Sequence, residues 1–188
     1  DSVEQLKIRI CFIEQYAIPN FGMCPFHQKG QVLYSDGINP PDGMCGVAWQ
    51  VLTWECVLNK REAFRRAFDG FDLRKVASYS EEKLTALQAD SGIIRNRLKI
   101  RAAVVNAQVF QKIQQEWGSF DRYLWHWTEK KIIQEVDKVS SPLSDAVSKD
   151  LKKRGMKFVG TIIIYAYLQA VGVINSHESG CLLNPLQQ

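Results

Sequence analysis

Apolar residues recur along this chain with the spacing of helices. Val3, Leu6, Ile10 and Ile13 stand at i, i+3, i+7 and i+10, one face of an amphipathic first helix. Val47, Val51, Trp54 and Leu58 predict a further helix that runs to about Phe68, where Asp69-Gly70 ends it. Ser80-Glu81-Glu82 offers the next helix an N-cap and an acidic first turn. Ile93, Ile100, Val104, Ala107 and Ile113 form a stripe that predicts a long core helix over 93–113. Phe120 to Trp127 reads as a short aromatic helix. Ser141-Pro142 is a start signal, Ser as N-cap and Pro at N1, and Gly155 is placed to close that helix as its C′ residue. No stretch alternates long enough to predict a strand, and no repeat is visible. The pattern predicts an all-α fold, with 1–188 as a single domain.

Two segments depart from this rhythm. Residues 18–46 carry Pro19, Gly22, Pro25, Gly30, Gly37, Pro40, Pro41 and Gly43, which predicts a long irregular segment. Loops of that length are uncommon unless tied down or functional. The run from Phe158 to Ile174 is strongly apolar, but it holds Gly160 and Gln169 and is short for a bilayer. It reads as a buried helix, and no membrane association is expected.

Composition adds modest constraints. With 46% hydrophobic and 23% charged residues, the chain is ordinary for a globular protein. Five cysteines, Cys11, Cys24, Cys45, Cys56 and Cys181, lack framework spacing and point to a reducing compartment. Asp1-Ser2-Val3-Glu4 has no basic n-region, so a cytoplasmic protein is expected. The net charge of +4 permits a polyanionic partner. Its placement says more. Lys149, Lys152, Lys153, Arg154 and Lys157 crowd one stretch, and Arg95, Arg97, Lys99 and Arg101 another. Phosphate contact and a solvated helix face both account for such clusters.

The first basic cluster sits in an informative context. Leu151-Lys-Lys-Arg-Gly-Met-Lys-Phe-Val-Gly-Thr161 followed by apolar residues reads as helix, basic hairpin, helix. Phe158 and Val159 are expected to anchor the hairpin in the core, and Gly160 to allow a tight backbone entry into the second helix. Free N–H groups at that helix start can hold a DNA phosphate, with the dipole assisting. Lys152, Lys153, Arg154 and Lys157 would surround the same point. An ordinary αα-hairpin would carry the same pattern.

Several motifs in register narrow the choice. Ser144-Asp-Ala-Val-Ser-Lys-Asp-Leu-Lys-Lys-Arg-Gly-Met-Lys-Phe-Val-Gly-Thr161 and Gln169-Ala-Val-Gly-Val-Ile-Asn175 resemble the C-terminal signature of the DNA-3-methyladenine glycosylase I family. So do His177-Glu-Ser-Gly-Cys181, Ser91-Gly-Ile-Ile-Arg-Asn-Arg97, and Leu52-Thr-Trp54 followed by Lys60-Arg-Glu-Ala-Phe64. The resemblance spans about Trp49 to Cys181 and leaves 1–46 divergent, with the helix-hairpin-helix over 144–174.

The resemblance implies a monofunctional, monomeric glycosylase of base excision repair that flips an alkylated adenine out of double-stranded DNA and hydrolyses its N-glycosidic bond. The hairpin positions Lys152, Lys153, Lys157, Val159, Gly160 and Thr161 would bind DNA. Trp54 matches the family's pocket tryptophan, Leu52 the residue that wedges into the gap left by flipping, and Leu33-Tyr34 a further pocket element. On spacing alone, Trp54 and Leu52 read equally as core residues of an amphipathic helix. The glutamate that the family places eight residues before the tryptophan falls on Gly46, so the catalytic carboxylate is unassigned. Glu178 stands where other helix-hairpin-helix glycosylases keep one, but within the metal-ligand pair it reads as a loop residue. The family's structural zinc maps onto Cys24, His177 and Cys181, with His27 as the local substitute for a missing histidine. No cofactor is implied for catalysis. The rival readings are a DNA-binding homologue that lost its pocket, and a zinc-stapled scaffold for protein partners.

Overall fold

The computed structural model describes residues 60–177. Trp54, Leu52, Tyr34, Gly46, Cys24, His27, Cys181 and Glu178 lie outside them, as does the helix expected over 3–13. Seven α-helices and one short strand pair make up the described residues, which bears out the all-α reading. They are α1 (Arg61–Ala67), α2 (Leu73–Ala77), α3 (Glu81–Ala89), α4 (Arg97–Trp117), α5 (Phe120–His126), α6 (Pro142–Lys153) and α7 (Thr161–Ala170), with strands Ile133–Gln134 and Ile174–Asn175.

Local rules set most of the boundaries. α1 gives way to a 3₁₀ turn over Asp69–Phe71, where Gly70 has φ +71°. Ser80 caps α3 by accepting from the Lys83 N–H, and Ser119 caps α5 by accepting from Arg122. Ser141 caps α6 in a reciprocal box with Ser144, and Pro142 follows at the first helical position.

α4 is the spine. Ile100, Ala103, Val104, Ala107, Phe110 and Ile113 are buried along it, and α2, α3 and α5 pack against it. Phe110 stacks on Phe120 of α5 with ring centroids 4.1 Å apart. The helix begins at Arg97, four residues later than the stripe predicts. Asn96 caps it by accepting from Lys99, and Asp90 accepts from Gly92 in the turn before it. Ile93 is nonetheless buried. A loop residue that packs inward seven positions before Ile100 mimics helical spacing. The two strands pair in parallel, Ile133 with Ile174 and Gln134 with Asn175, and are too short for alternation to reveal. No helix among the described residues is long and apolar enough to cross a membrane.

Candidate nucleic-acid interface

The connection between α6 and α7 is built from both ends. Leu151 and Met156 are both buried in the core, at 2% and 5% exposure. Between them α6 closes in a paired bond pattern: Gly155 N–H donates to Lys152 O, and Met156 N–H to Leu151 O, each at 3.0 Å. This ending needs a left-handed residue, and Gly155 supplies it with φ +101°.

From Met156 the chain runs back along α6 and is fastened at three points. Asn106, buried on α4, grips Lys157 twice: its Nδ2 donates to Lys157 O at 2.9 Å, and its Oδ1 accepts from Lys157 N–H at 2.8 Å. Ser148 Oγ donates to Val159 O at 2.6 Å. Thr161 Oγ1 donates to Asp145 Oδ1 and lies 2.9 Å from Ser144 Oγ. The starts of α6 and α7 therefore lie side by side. They differ in one respect. The capping box covers the start of α6, whereas no side chain caps α7. Among the described residues no partner is found for the amides of Gly160, Thr161, Ile162 and Ile163. Such a terminus favours an anion.

The surrounding charge differs from the expectation at one residue. Lys149, Lys152, Lys153 and Lys157 are exposed. Arg154 is not available. Its Nε donates to Asp150 at 2.7 Å, and its two terminal nitrogens hold both oxygens of Glu116. Donating these hydrogen bonds to Glu116 and Asp150 pushes the guanidinium's already high pKa higher still. Arg154 ties α6 to the end of α4.

Two further expectations need correction. Val159 anchors the hairpin at 5% exposure, but Phe158 stands 43% exposed, with φ +56° and Lys99 Nζ 6.0 Å from its ring centroid. Nor does Gly160 make a turn that requires glycine. Its backbone is extended, φ −65° and ψ 160°, and an added Cβ would meet only Ile163 Cγ1 at 4.0 Å. Nothing among the described residues demands a glycine there; an approaching ligand would. His126, an exposed residue, stacks on Trp117 with centroids 4.2 Å apart, in keeping with a packing role.

Asn106 and Ser148 escaped the sequence reading. The available signal was a polar residue set into the apolar stripe of α4 between Val104 and Ala107. Of the expected zinc ligands His177 alone is described. Its N–H donates to Asn175 Oδ1 at 3.0 Å, and its carbonyl accepts from Gln134 Nε2 at 3.1 Å.

Comparison with known proteins sets this geometry in a lineage. The profile of the methyladenine glycosylase family matches residues 47–184. DNA-3-methyladenine glycosylase 1 of Escherichia coli (strain K12) is 42% identical over 141 residues, 71% of this chain and 75% of that protein. DNA-3-methyladenine glycosylase of Haemophilus influenzae is 35% identical over 136 residues, 69% of this chain and 74% of that one. A crystal structure of 3-methyladenine DNA glycosylase I superposes with a TM-score of 0.71 at 31% identity, covering 97% of this chain and 85% of its own.

Proposed function

The chain belongs to the methyladenine glycosylase family, and from that premise we infer how its own residues serve the reaction. It is a DNA glycosylase that hydrolyses the N-glycosidic bond of 3-methyladenine in DNA. The observation that carries our reading is the uncapped start of α7, held in place by Asn106 and Ser148, with exposed Lys157 on the segment that leads into it and exposed Lys152 and Lys153 at the end of α6 that opens the hairpin. That is a fixed anion site, and the anion is a backbone phosphate of double-stranded DNA, bound without reading sequence. The protein acts as a monomer.

Trp54 stacks on the flipped base, Leu52 fills the gap it leaves, and Tyr34 lines the pocket. A 3-methylated adenine is cationic before it departs, so it leaves without a strong general acid. Water is the nucleophile. With Gly46 where the family keeps a glutamate, recognition falls on shape and stacking in the pocket. The test is direct. The full chain, incubated with duplex containing 3-methyladenine, releases the free base and leaves an abasic site. Tight duplex binding with no release would instead identify a DNA-binding homologue.

We further infer one structural zinc, held by Cys24, His27, His177 and Cys181. Two thiolates and two imidazoles suit that ion, and the backbone of His177 is fixed on both sides. Four protein ligands leave no open position, so the metal would contribute to folding and not to chemistry. Metal analysis of purified protein finds one equivalent, and less than that after careful purification counts against the site.

A further inference from the structure

One anion already stands at the start of α7. Thr161 is the first residue of that helix, and its Oγ1 donates to Asp145 Oδ1 at 2.5 Å. Asp145 is an exposed residue in the first turn of α6, and among the described residues no basic side chain pairs with it. In any rotamer a threonine hydroxyl lies within ~4 Å of its own amide nitrogen, so the carboxylate is within roughly 6 Å of the Thr161 N–H. A carboxylate there opposes the phosphate that the helix start attracts.

Its placement is fixed by its neighbours. Ser144 Oγ lies 2.9 Å from Thr161 Oγ1, and Ser148 holds Val159 O, so both serines mark the face of α6 that carries the hairpin. Asp145 is the next residue round from Ser144. A threonine hydroxyl has one hydrogen. With that hydrogen on Asp145, Thr161 keeps only its amide for a phosphate. The starts of α6 and α7 lie side by side, and the positive end of each helix dipole attracts the same carboxylate. Because Asp145 bonds the hydroxyl and not an N–H, it offsets the charge of the α7 start while its amides stay open.

We propose that Asp145 is the intramolecular counter-ion of the α7 start, held there by Thr161, and that it limits how tightly the hairpin grips a backbone phosphate. This rests on the hairpin being the phosphate grip. The role of such a residue is release. An enzyme that must leave undamaged duplex, and its own abasic product, is served by a grip that is firm in geometry and moderate in strength. Two unit charges about 6 Å apart in aqueous surroundings shift an equilibrium about threefold, and more where the bound duplex excludes water.

The test measures affinity of the full chain for an undamaged duplex and for an abasic duplex, each across a salt series. Asp145→Asn keeps an acceptor for Thr161 and removes the charge. Affinity for both duplexes then rises about three- to tenfold at low salt, and the gain shrinks as salt screens it. The melting temperature falls, because two helix starts lose their carboxylate. A residue that only supports the fold would lower affinity and melting temperature together, so the opposite signs separate the two roles. Asp145→Glu retains the charge and the wild-type affinity. Glu82→Gln removes the same charge from the exposed first turn of α3 and leaves affinity unchanged. An Asp145→Asn affinity at or below wild type, or an equal gain from Glu82→Gln, overturns the proposal. Replacing Lys152, Lys153 and Lys157 by Ala separates the two levels. If that variant flattens the salt dependence while Asp145→Asn leaves affinity unchanged, the hairpin stands and the counter-ion falls. If neither variant alters binding, the hairpin reading itself fails.

Discussion

Asn106 is the residue on which the shape of the hairpin most directly depends, and Asn106→Leu isolates its contribution. Leucine nearly matches the volume, so the change creates little cavity, but it can neither accept from the Lys157 N–H at 2.8 Å nor donate to its carbonyl at 2.9 Å. Two hydrogen bonds vanish, each with a net contribution of about 0.5–1.5 kcal/mol. Their partners also lose satisfaction in a half-buried place, which costs about 1–3 kcal/mol per group where water cannot reach. Because Lys157 is exposed, water recovers part of this, and the expected loss is about 2–4 kcal/mol. Urea unfolding reads that as a lower midpoint at unchanged m-value. For a chain of this size the melting temperature falls by roughly 4–16 °C. Affinity for undamaged duplex falls as well, because a hairpin free to leave α4 no longer presents the α7 amides in a fixed array. Asn106→Leu with stability within about 0.5 kcal/mol of wild type and full duplex affinity would refute the reasoning.

Gly160→Ala separates fold from ligand in the opposite way: stability holds or rises by about 0.4–1 kcal/mol, as for any glycine in an alanine-compatible conformation, while duplex affinity drops because the new methyl stands where phosphate approaches. A drop in melting temperature would show that the fold needs the glycine. Burial pushes the Asp150 carboxyl up, but hydrogen bonds from Arg154 at 2.7 Å and Tyr123 at 2.8 Å outweigh it and hold the pKa below the ordinary 3.8. The unfolded chain then binds more protons, so this stabilisation is complete at neutral pH and is lost as pH falls through and below about 4; unfolding measured for Asp150→Asn shows a flatter acid limb, and an unaltered limb excludes the mechanism. Trp54→Ala removes a stacking surface that contributes about 1–3 kcal/mol per base, so excision of 3-methyladenine falls at least about tenfold with undamaged-duplex binding intact. Leu52→Ala acts alike by removing the wedge, and a parallel loss of excision, binding and melting temperature in both variants would return them to the core.

What the sequence revealed follows the range of the forces involved. Ser80, Ser141 and Gly155 were legible because a cap or a left-handed ending is decided within four residues. The all-α class and the α4 stripe were legible for the same reason, and the family motifs placed the hairpin. Arg154 was not: its charge invites a phosphate, and only the fold brings Glu116 from 38 residues away to claim it. Phe158 looked like core because it is aromatic, yet its left-handed backbone turns it outward to meet Lys99. Gly160 resembled a turn glycine, although its backbone is extended. For Arg154 and Phe158 the deciding contact is tertiary, and no local pattern records it.

The Asn106 grip joins residues 51 apart in sequence, and this bears on how the protein can be assembled and dissected. The hairpin belongs to α4 as much as to the two helices it connects. Closing so distant a contact comes late, after the spine has formed, because the entropy of the intervening loop must be overcome first. A peptide cut to α6, the hairpin and α7 would keep its helix caps and its lysines but lack the side chain that fixes the backbone between them. The helix-hairpin-helix here is therefore not a transferable cassette: grafted elsewhere, it would need a buried asparagine on a neighbouring helix supplied along with it.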